Sequence, residues 1–147
     1  MTVDLAKYKS YCQPDQKIII SRDVKSDCHH RAENPGKHLV RQYHIDGEVI
    51  PDQNTEKCDW MVLNDTEKDA YLIELKGSDI HKAERQIDST YGIMKSELPD
   101  YQFFFRIVYR TGTQRLNDQA TIRWKEKCKR QKCDVIIGQK EIKDIIS

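Results

Sequence analysis

Apolar and polar residues alternate most regularly in the middle of the chain. Residues 39–45 alternate as a strand with one buried face does, and residues 58–63 and 70–76, with the sequences CDWMVL and AYLIELK, are two apolar runs separated by a polar stretch. Apolar runs of this length around a short polar segment are typical of a β-hairpin. The pattern therefore predicts three strands in succession, of which the last two form an antiparallel pair.

The chain from residue 79 onward predicts helices alternating with strands. Apolar residues recur at intervals of three and four from 79 to about 96, which is typical of an amphipathic helix with Ser78 or Asp79 as its N-cap. The elements predicted after it are a strand at 101–109 (YQFFFRIVY), a basic helix at 118–132 and a short buried strand at 134–138. The tail from residue 140 is predicted to be helical.

The N-terminal part predicts less regular structure. Residues 2–12 favour a short helix, the run Ile18-Ile19-Ile20 favours a short strand, and residues 27–37 favour a loop because they contain a Pro-Gly pair. Asp46-Gly47 further predicts a tight turn into a short strand at 48–50.

The order of these elements predicts the fold class. An N-terminal extension, residues 1–38, is followed by β-β-β-α-β-α-β over about residues 39–138, and a chain of 147 residues has the size of one domain. We therefore expect a single domain over residues 1–147 of the α/β (α+β) class, in which a mixed sheet is flanked by helices.

Composition predicts a cytoplasmic protein without a membrane segment. Charged residues make up 33% of the chain and hydrophobic residues 37%, and no apolar run approaches the roughly 20 residues that span a bilayer. The first 13 residues contain no apolar stretch of the kind that directs export. The five cysteines, which have no regular spacing, are therefore expected to be reduced thiols.

Positive charge is concentrated in one segment, although the net charge of the chain is only +1. Between residues 106 and 133 nine residues are basic and two are acidic, and such an excess suits contact with a phosphate backbone. The residues expected to bind nucleic acid are Arg123, Lys125, Lys127, Lys129 and Arg130. A solvated helix face is the alternative for this segment, and Trp124 within it either stacks on bases or anchors the helix to the sheet.

Two carboxylates and one ammonium group are predicted to meet at one end of the hairpin. If its loop is centred on Thr66 and Glu67, residues whose numbers sum to 133 face each other, and Asp59 then lies opposite Glu74. Side chains alternate along a strand, so Glu74 and Lys76 emerge on the same face. Because the run around them is apolar, unpaired charges there would be costly and rarely persist without a partner or a metal.

This grouping suits a divalent metal centre. Mg²⁺ prefers oxygen ligands, keeps several waters and is commonly held by one or two carboxylates plus substrate phosphate. The metal lowers the pKa of a bound water, and a lysine close by can orient that water or stabilise negative charge in the transition state. A salt bridge at the end of the strand, in which Glu74 or Asp59 pairs with Lys76, is the alternative that the charge pattern leaves open.

The segments CDWMVL and AYLIELKG, followed by a helix that opens SDIHKAERQ, resemble the core of the PD-(D/E)xK nuclease superfamily over about residues 56–91. The resemblance implies a restriction-endonuclease-like αβββαβ core. It also implies that Asp59 is the first acidic ligand, Glu74 the second and Lys76 the catalytic lysine, with the Leu75 backbone carbonyl as a third ligand of Mg²⁺ or Mn²⁺.

Other residues near the motif are open to assignment. Pro51-Asp52 also precedes the Glu-x-Lys motif at a workable distance, so Asp52 is an alternative first acid. Asp59 is preferred because it begins a strand opposite Glu74, whereas Asp52 lies in a polar loop. Gln86 and Lys82 lie on the helix that should pack behind the site, where they could support the metal ligands or touch the substrate.

The resemblance implies a function as well, that of a metal-dependent DNA endonuclease hydrolysing phosphodiester bonds by attack of water. Cleavage of both strands by so small a chain predicts a symmetric homodimer with one site for each strand. Two alternatives are open. One is a catalytically silent module of the same fold that binds nucleic acid or a protein partner, and the other is a defence-related nuclease acting on RNA or cyclic nucleotides.

Overall fold

The computed structural model describes residues 1–76, 78–110 and 118–147, and of Lys76 it describes only the backbone. Within these ranges the chain forms eight strands and two α-helices, besides a short 3-10 turn at Leu5–Lys7. The strands are β1 (Ile18–Arg22), β2 (His29–Glu33), β3 (Val40–His44), β4 (Trp60–Asn64), β5 (Asp69–Lys76), β6 (Gln102–Tyr109), β7 (Asp134–Gln139) and β8 (Glu141–Ile145). The helices are α1 (Ile80–Glu97) and α2 (Gln119–Arg130). These elements confirm the predicted α+β class.

The central sheet is mixed and holds five strands in the order β3-β4-β5-β6-β7. Neighbours among the first three strands are antiparallel, whereas β5, β6 and β7 run parallel to one another. In the β4–β5 hairpin Trp60 faces Ile73 and Met61 faces Leu72, which confirms the predicted register. The register is important because a slip by one residue would turn every side chain of a strand to the other face.

The two faces of the central sheet are covered by different layers. On one face Leu72 and Phe105 pack against Ile87 of α1 and Trp124 of α2. The opposite face, which includes Ile73, packs against a second sheet of order β1-β2-β8. Within the described ranges, helices therefore flank the central sheet on one face and strands cover the other. Burial on both faces explains why β5 reads as a nearly continuous apolar run.

Two strands of the second sheet correct the sequence predictions. Residues 27–37, expected to be a loop, contain β2, and the tail from residue 140, expected to be helical, forms β8. The two strands are parallel, with His29 opposite Glu141. Each strand is only five residues long. Because His29 and Glu141 are 112 positions apart in the chain, the local residue pattern carries little signal for the pairing of β2 with β8.

Two other short elements also differ from expectation. The helix predicted over residues 2–12 is reduced to the turn at Leu5–Lys7. Residues 48–50, all of them described, form no strand, because Asp46 and Ile50 make an isolated bridge around Gly47, whose φ is 88°. A backbone turn this tight leaves no room for a paired extension, and glycine supplies the left-handed conformation.

Both helices begin with an aspartate cap. The Asp79 carboxylate accepts a hydrogen bond from the Lys82 N–H (3.0 Å), and the Asp118 carboxylate accepts one from the Thr121 N–H (2.8 Å). These contacts satisfy N–H groups that the first helical turn leaves without intrahelical partners. In the described part of the chain, neither helix combines the length and apolar character needed to cross a bilayer.

Candidate active site

Asp59 lies directly before β4, where the antiparallel ladder with β5 ends. Its N–H donates a hydrogen bond to the Ile73 carbonyl (3.1 Å), and its carbonyl accepts one from the Ile45 N–H (2.8 Å). Its carboxylate Oδ2 accepts a hydrogen bond from the Leu75 N–H at 2.9 Å. The side chain of Asp59 thus continues the ladder in place of a backbone carbonyl, and it lies beside the segment of β5 that carries Glu74.

Glu74 is buried, with 1% of its surface exposed. It alternates with Leu72 along β5 and so belongs to the face of the sheet that α1 covers. Burial raises the pKa of the Cys58 thiol, and the negative charges of Glu74 and Asp59 raise it further. Both predicted acids therefore lie close enough to Cys58 to act on its thiol.

Thr90 ties α1 to this point. Its Oγ1 accepts a hydrogen bond from the Cys58 N–H (2.9 Å) and donates one to the Gln86 carbonyl (2.9 Å). Gln86 thus contributes to the site through its backbone carbonyl, while its side chain is partly exposed. Lys82 is exposed in the first turn of α1. Of the two helix residues considered from sequence, Gln86 is the one linked through Thr90 to the segment that leads into Asp59 and β4.

The last two residues of β5 complete the predicted motif. Because the N–H and C=O of a strand residue point toward the same neighbouring strand, the Leu75 carbonyl faces the side of Asp59, as its N–H does. Lys76 is the final residue of β5, where its Cα is paired with that of Tyr109. The side chain of Lys76 lies outside the described part of the structure, so its meeting with the two acids stays a prediction.

A cleft of about 770 Å³ opens over this end of the hairpin, and Asp59 and Leu75 belong to its walls. The other lining residues come from the ends of β1, β3 and β6 and from the start of α1. They are Asp23, Lys25, Ser26, His44, Asp46, Ser78 and Arg110. The cleft thus combines carboxylates, which suit a divalent cation, with the cations of Lys25 and Arg110, which suit phosphate.

Sequence analysis missed Lys25, His44 and Arg110 as members of the site. Arg110 follows β6 directly, and β6 is parallel to β5, so the carboxyl ends of the two strands meet at one edge of the sheet. Ligands of open α/β sheets bind at that edge, and this rule could have found Arg110. No local signal marks Lys25 or His44, because only the tertiary fold brings their segments to Asp59.

The oxygen atoms of Asp59, Glu74 and the Leu75 carbonyl are the candidate ligands for a divalent metal. Among the residues that the structure describes, no three or more His, Cys, Asp or Glu side chains are grouped so as to hold a metal ion. The predicted set asks for only two carboxylates and one carbonyl, because Mg²⁺ keeps several waters and takes oxygen from substrate phosphate. Carboxylate and carbonyl oxygens are donors of the kind that suits Mg²⁺ or Mn²⁺, and joint ligation of a metal by Asp59, the buried Glu74 and Leu75 stays a prediction.

Asp52, the alternative first acid, lies in an exposed loop. Its carboxylate accepts hydrogen bonds from the Asn54 N–H (2.9 Å) and the Thr55 hydroxyl (3.1 Å), and these bonds lower its pKa. Both contacts are local and shape the loop itself. The geometry favours Asp59, whose carboxylate is bonded to the strand that carries Glu74.

The basic residues at the C-terminal end of α2 lie away from the cleft. Exposed or partly exposed members are Arg123, Lys125, Lys129 and Arg130, whereas the Lys127 ammonium contacts the Asp88 carboxylate at 2.6 Å. Strand β7 starts with Asp134 opposite Phe104, near the beginning of β6. The C-terminal end of α2, which leads into β7, is therefore at the opposite end of the sheet from the cleft. Contact of α2 with phosphates stays a prediction, on a surface distinct from the cleft.

Two further residues of the basic segment are buried. The Trp124 indole N–H donates to Asp88 (2.9 Å) and the ring stacks with Phe105. Of the two roles considered for Trp124, stacking on bases or anchoring the helix, the contacts therefore support anchoring of α2 to the sheet. Arg106 is 2% exposed and hydrogen-bonds Asp144 of the second sheet. Arg115 lies outside the described residues. The number of basic residues shown to be available to a ligand is therefore smaller than the nine counted in the sequence between residues 106 and 133.

Comparisons of the chain with protein-family models, with curated proteins and with solved structures yielded no match.

Proposed function

We propose that the chain is a metal-dependent nuclease of the PD-(D/E)xK type that hydrolyses phosphodiester bonds, with DNA as its substrate class. The observation that carries the proposal is the hydrogen bond from the Leu75 N–H to Asp59 Oδ2. It brings the Asp59 carboxylate onto the strand of Glu74, in the wall of a cleft that also holds Lys25 and Arg110. The order of elements from β3 to β7 is βββαβαβ, which supports the proposal through the βββαβ part of the αβββαβ core; among the described residues a short 3-10 turn and two strands precede β3 in place of that core's first helix.

The residues of the site would divide the chemistry among them. Mg²⁺ or Mn²⁺, held by Asp59, Glu74 and the Leu75 carbonyl, would lower the pKa of a bound water and offset negative charge at phosphorus. The bond from the Leu75 N–H keeps the Asp59 carboxylate in place. Lys25 and Arg110 would bind phosphate groups of the substrate. Lys76 is assigned to orient the attacking water, by its position two residues after Glu74.

Cleavage of supercoiled plasmid DNA tests the proposal. Conversion to nicked and linear forms is expected with Mg²⁺ or Mn²⁺, and none with excess EDTA. The proposal includes a symmetric homodimer, which would produce linear DNA early because it presents a site to each strand. A monomer would accumulate nicked circles, and sedimentation velocity gives the oligomeric state directly. Failure to hydrolyse DNA, RNA and cyclic dinucleotides with either metal would refute the nuclease assignment.

A catalytically silent module that binds nucleic acid or a protein partner is the second candidate function. The same hydrogen bond favours it, because a carboxylate that completes a β-ladder at 2.9 Å has a structural role without any metal. Binding of DNA with equal affinity in Mg²⁺ and in EDTA, together with no hydrolysis, would select this candidate over the nuclease.

Neutralising three basic residues of α2 is expected to weaken binding to duplex DNA. The triple substitution Lys125→Gln, Lys129→Gln and Arg130→Gln removes three charges, while Lys127 is retained because it pairs with Asp88. Each lost phosphate contact should reduce the slope of log affinity against log salt by about 1. Fluorescence anisotropy across a salt series measures both the affinity and the slope.

A matched control removes the same charge elsewhere. Lys7, Lys9 and Lys17 are exposed near the N-terminus, and their replacement by glutamine should leave the affinity close to that of the parent protein. If both triple variants weaken binding to the same degree, the affinity follows net charge and α2 is not a specific contact surface.

A further inference from the structure

An aromatic cluster, formed by Tyr11, His44 and Trp60, borders the cleft next to Asp59. The ring centroids of His44 and Trp60 lie 4.7 Å apart, and those of Tyr11 and Trp60 lie 5.2 Å apart. His44 and Trp60 face each other across β3 and β4, and Trp60 directly follows Asp59 in the chain. Because His44 also lines the cleft, the aromatic cluster extends the wall of the cleft beyond the acids.

Polar contacts hold the rings of the aromatic cluster in place. The Tyr11 N–H donates to the Gln42 carbonyl (2.8 Å), and the Tyr11 hydroxyl donates to Glu48. The Trp60 indole N–H donates to the Arg22 carbonyl at 3.1 Å. Tyr11 nevertheless keeps 54% of its surface exposed. A ring that is exposed and already fixed loses little conformational entropy when a ligand packs on it.

The surroundings indicate which ligand would pack there. Lys25 and Arg110 line the same cleft and suit phosphate groups. Aromatic rings beside cations are the combination that binds single-stranded nucleic acid, where each base stacks on a side chain. Enzymes that act on a base within a duplex must first take it out of the stack. A surface ring such as Tyr11 can therefore stack only on a base that is unpaired or unstacked.

We propose that Tyr11 and Trp60 form a stacking subsite for an unpaired nucleobase, and that the scissile phosphate is presented by a single-stranded or flipped-out nucleotide instead of a continuous duplex. The second part rests on the proposed nuclease function, whereas the stacking itself needs neither metal nor hydrolysis. DNA and RNA share the chemistry, because every base offers a π-face.

Binding of a labelled oligothymidylate in EDTA tests the stacking subsite without hydrolysis. The probe is roughly 12 nucleotides long, within the range of single-stranded site sizes, and an oligouridylate and a duplex of equal length are run beside it. Tyr11→Ala should bind both single strands about 5- to 20-fold more weakly. Tyr11→Phe, which keeps the ring and loses only the hydroxyl, should bind within about twofold of the parent. An oligodeoxyuridylate of equal length removes the effect of the thymine methyl group, and weaker binding by the oligouridylate than by this strand identifies DNA as the preferred source of the base.

Tryptophan fluorescence gives an independent readout. Trp60 is partly exposed, whereas Trp124 is buried on the other face of the sheet, so stacking at the aromatic cluster should quench Trp60 alone. Quenching by the oligothymidylate should persist in Trp124→Phe. Because the measurement also works on the unsubstituted protein, the test stands even if Tyr11→Ala fails to fold.

The outcomes separate this inference from the nuclease assignment. Equal affinity of Tyr11→Ala and the parent, an equal loss for duplex and single strand, or the absence of quenching would each overturn the stacking subsite, whatever the plasmid assay shows. Quenching with a selective loss of single-strand binding in Tyr11→Ala supports it, even if no metal-dependent cleavage is found. In that case the proposed nuclease function is wrong, and the chain is instead a module that binds single-stranded nucleic acid.

Discussion

Glu74→Gln is expected to abolish metal-dependent cleavage and leave the fold intact. The two side chains have nearly the same shape, so the packing around this buried position is kept, but a neutral amide is a much poorer ligand for Mg²⁺ than a carboxylate. Loss of the metal removes the activated water and the charge neutralisation together. Cleavage should therefore fall by at least about 10³-fold, which corresponds to roughly 4 kcal/mol of transition-state stabilisation.

Asp59 should respond differently to asparagine and to alanine. Asp59→Asn keeps an oxygen that can accept the Leu75 N–H, so cleavage should be lost with little change in stability. Asp59→Ala removes that acceptor and leaves the buried Leu75 N–H without it. The free energy of unfolding should fall by about 1–2 kcal/mol as a result. Thermal unfolding in metal-free buffer, measured beside the cleavage rate, distinguishes the two effects.

Asp52→Asn is the matched control for both acids. Its carboxylate bonds only within its own exposed loop in the described contacts, so the variant should cleave DNA and bind Mg²⁺ as the parent does in calorimetric titration. Full cleavage by Glu74→Gln would remove the proposed nuclease mechanism. Full cleavage by Asp59→Asn with loss of cleavage in Asp52→Asn would show that Asp52 is the first acid.

The second large effect is expected at Asp144, which joins the two sheets. Its carboxylate accepts hydrogen bonds from His30 Nε2 (2.8 Å) and from Arg106 Nε and Nη2 (2.8 and 3.0 Å), and both partners are buried. Breaking a buried ion pair on one side leaves an uncompensated charge, which typically costs 3–5 kcal/mol. We expect Asp144→Asn to lower the free energy of unfolding by about 3 kcal/mol. This is the low end of the range, because Asp134 still contacts Arg106 at 2.8 Å.

The same carboxylate should make stability depend on acid pH. Burial alone would raise the pKa of Asp144, but the hydrogen bonds from His30 and Arg106 outweigh it and hold the pKa well below the usual range. An aspartate titrates near pH 4 when unfolded, so the folded state has the lower pKa. Its stabilisation is therefore fully present above about pH 5 and is lost as the pH falls below that value. Asp144→Asn should show a weaker loss of stability in acid than the parent.

Urea unfolding at several pH values measures both effects, and a partly exposed ion pair provides the control. Arg31 and Glu33 of β2 are 2.8 Å apart, with about a third of each side chain exposed. Glu33→Gln should leave the unfolding midpoint at neutral pH nearly unchanged, because solvent screens such pairs. Similar midpoints for Asp144→Asn and Glu33→Gln would show that burial of the Arg106 network adds nothing to stability.

The sequence by itself determined the central hairpin and the residues that lead to its end. Two apolar runs of fixed length around a polar loop allow one register in which both strands stay buried, and the observed pairing of Trp60 with Ile73 is that register. The paired register ends there: the Asp59 N–H bonds to the Ile73 carbonyl and its carboxylate to the Leu75 N–H, so the direct opposition of Asp59 and Glu74 stays a prediction. Helices α1 and α2 and strand β6 were equally readable, because their periodicity is local to each segment.

Only the tertiary structure decided what surrounds that end of the hairpin. The pairing of β2 with β8 joins segments from opposite ends of the chain, and it buries Arg106, which the charge count had assigned to a basic surface. The placement of Tyr11, His44 and Lys25 around Asp59 likewise depends on how the N-terminal segments cover the sheet. Local patterning specifies which face of an element is apolar, whereas the partner that covers this face is selected by the packing of the whole chain.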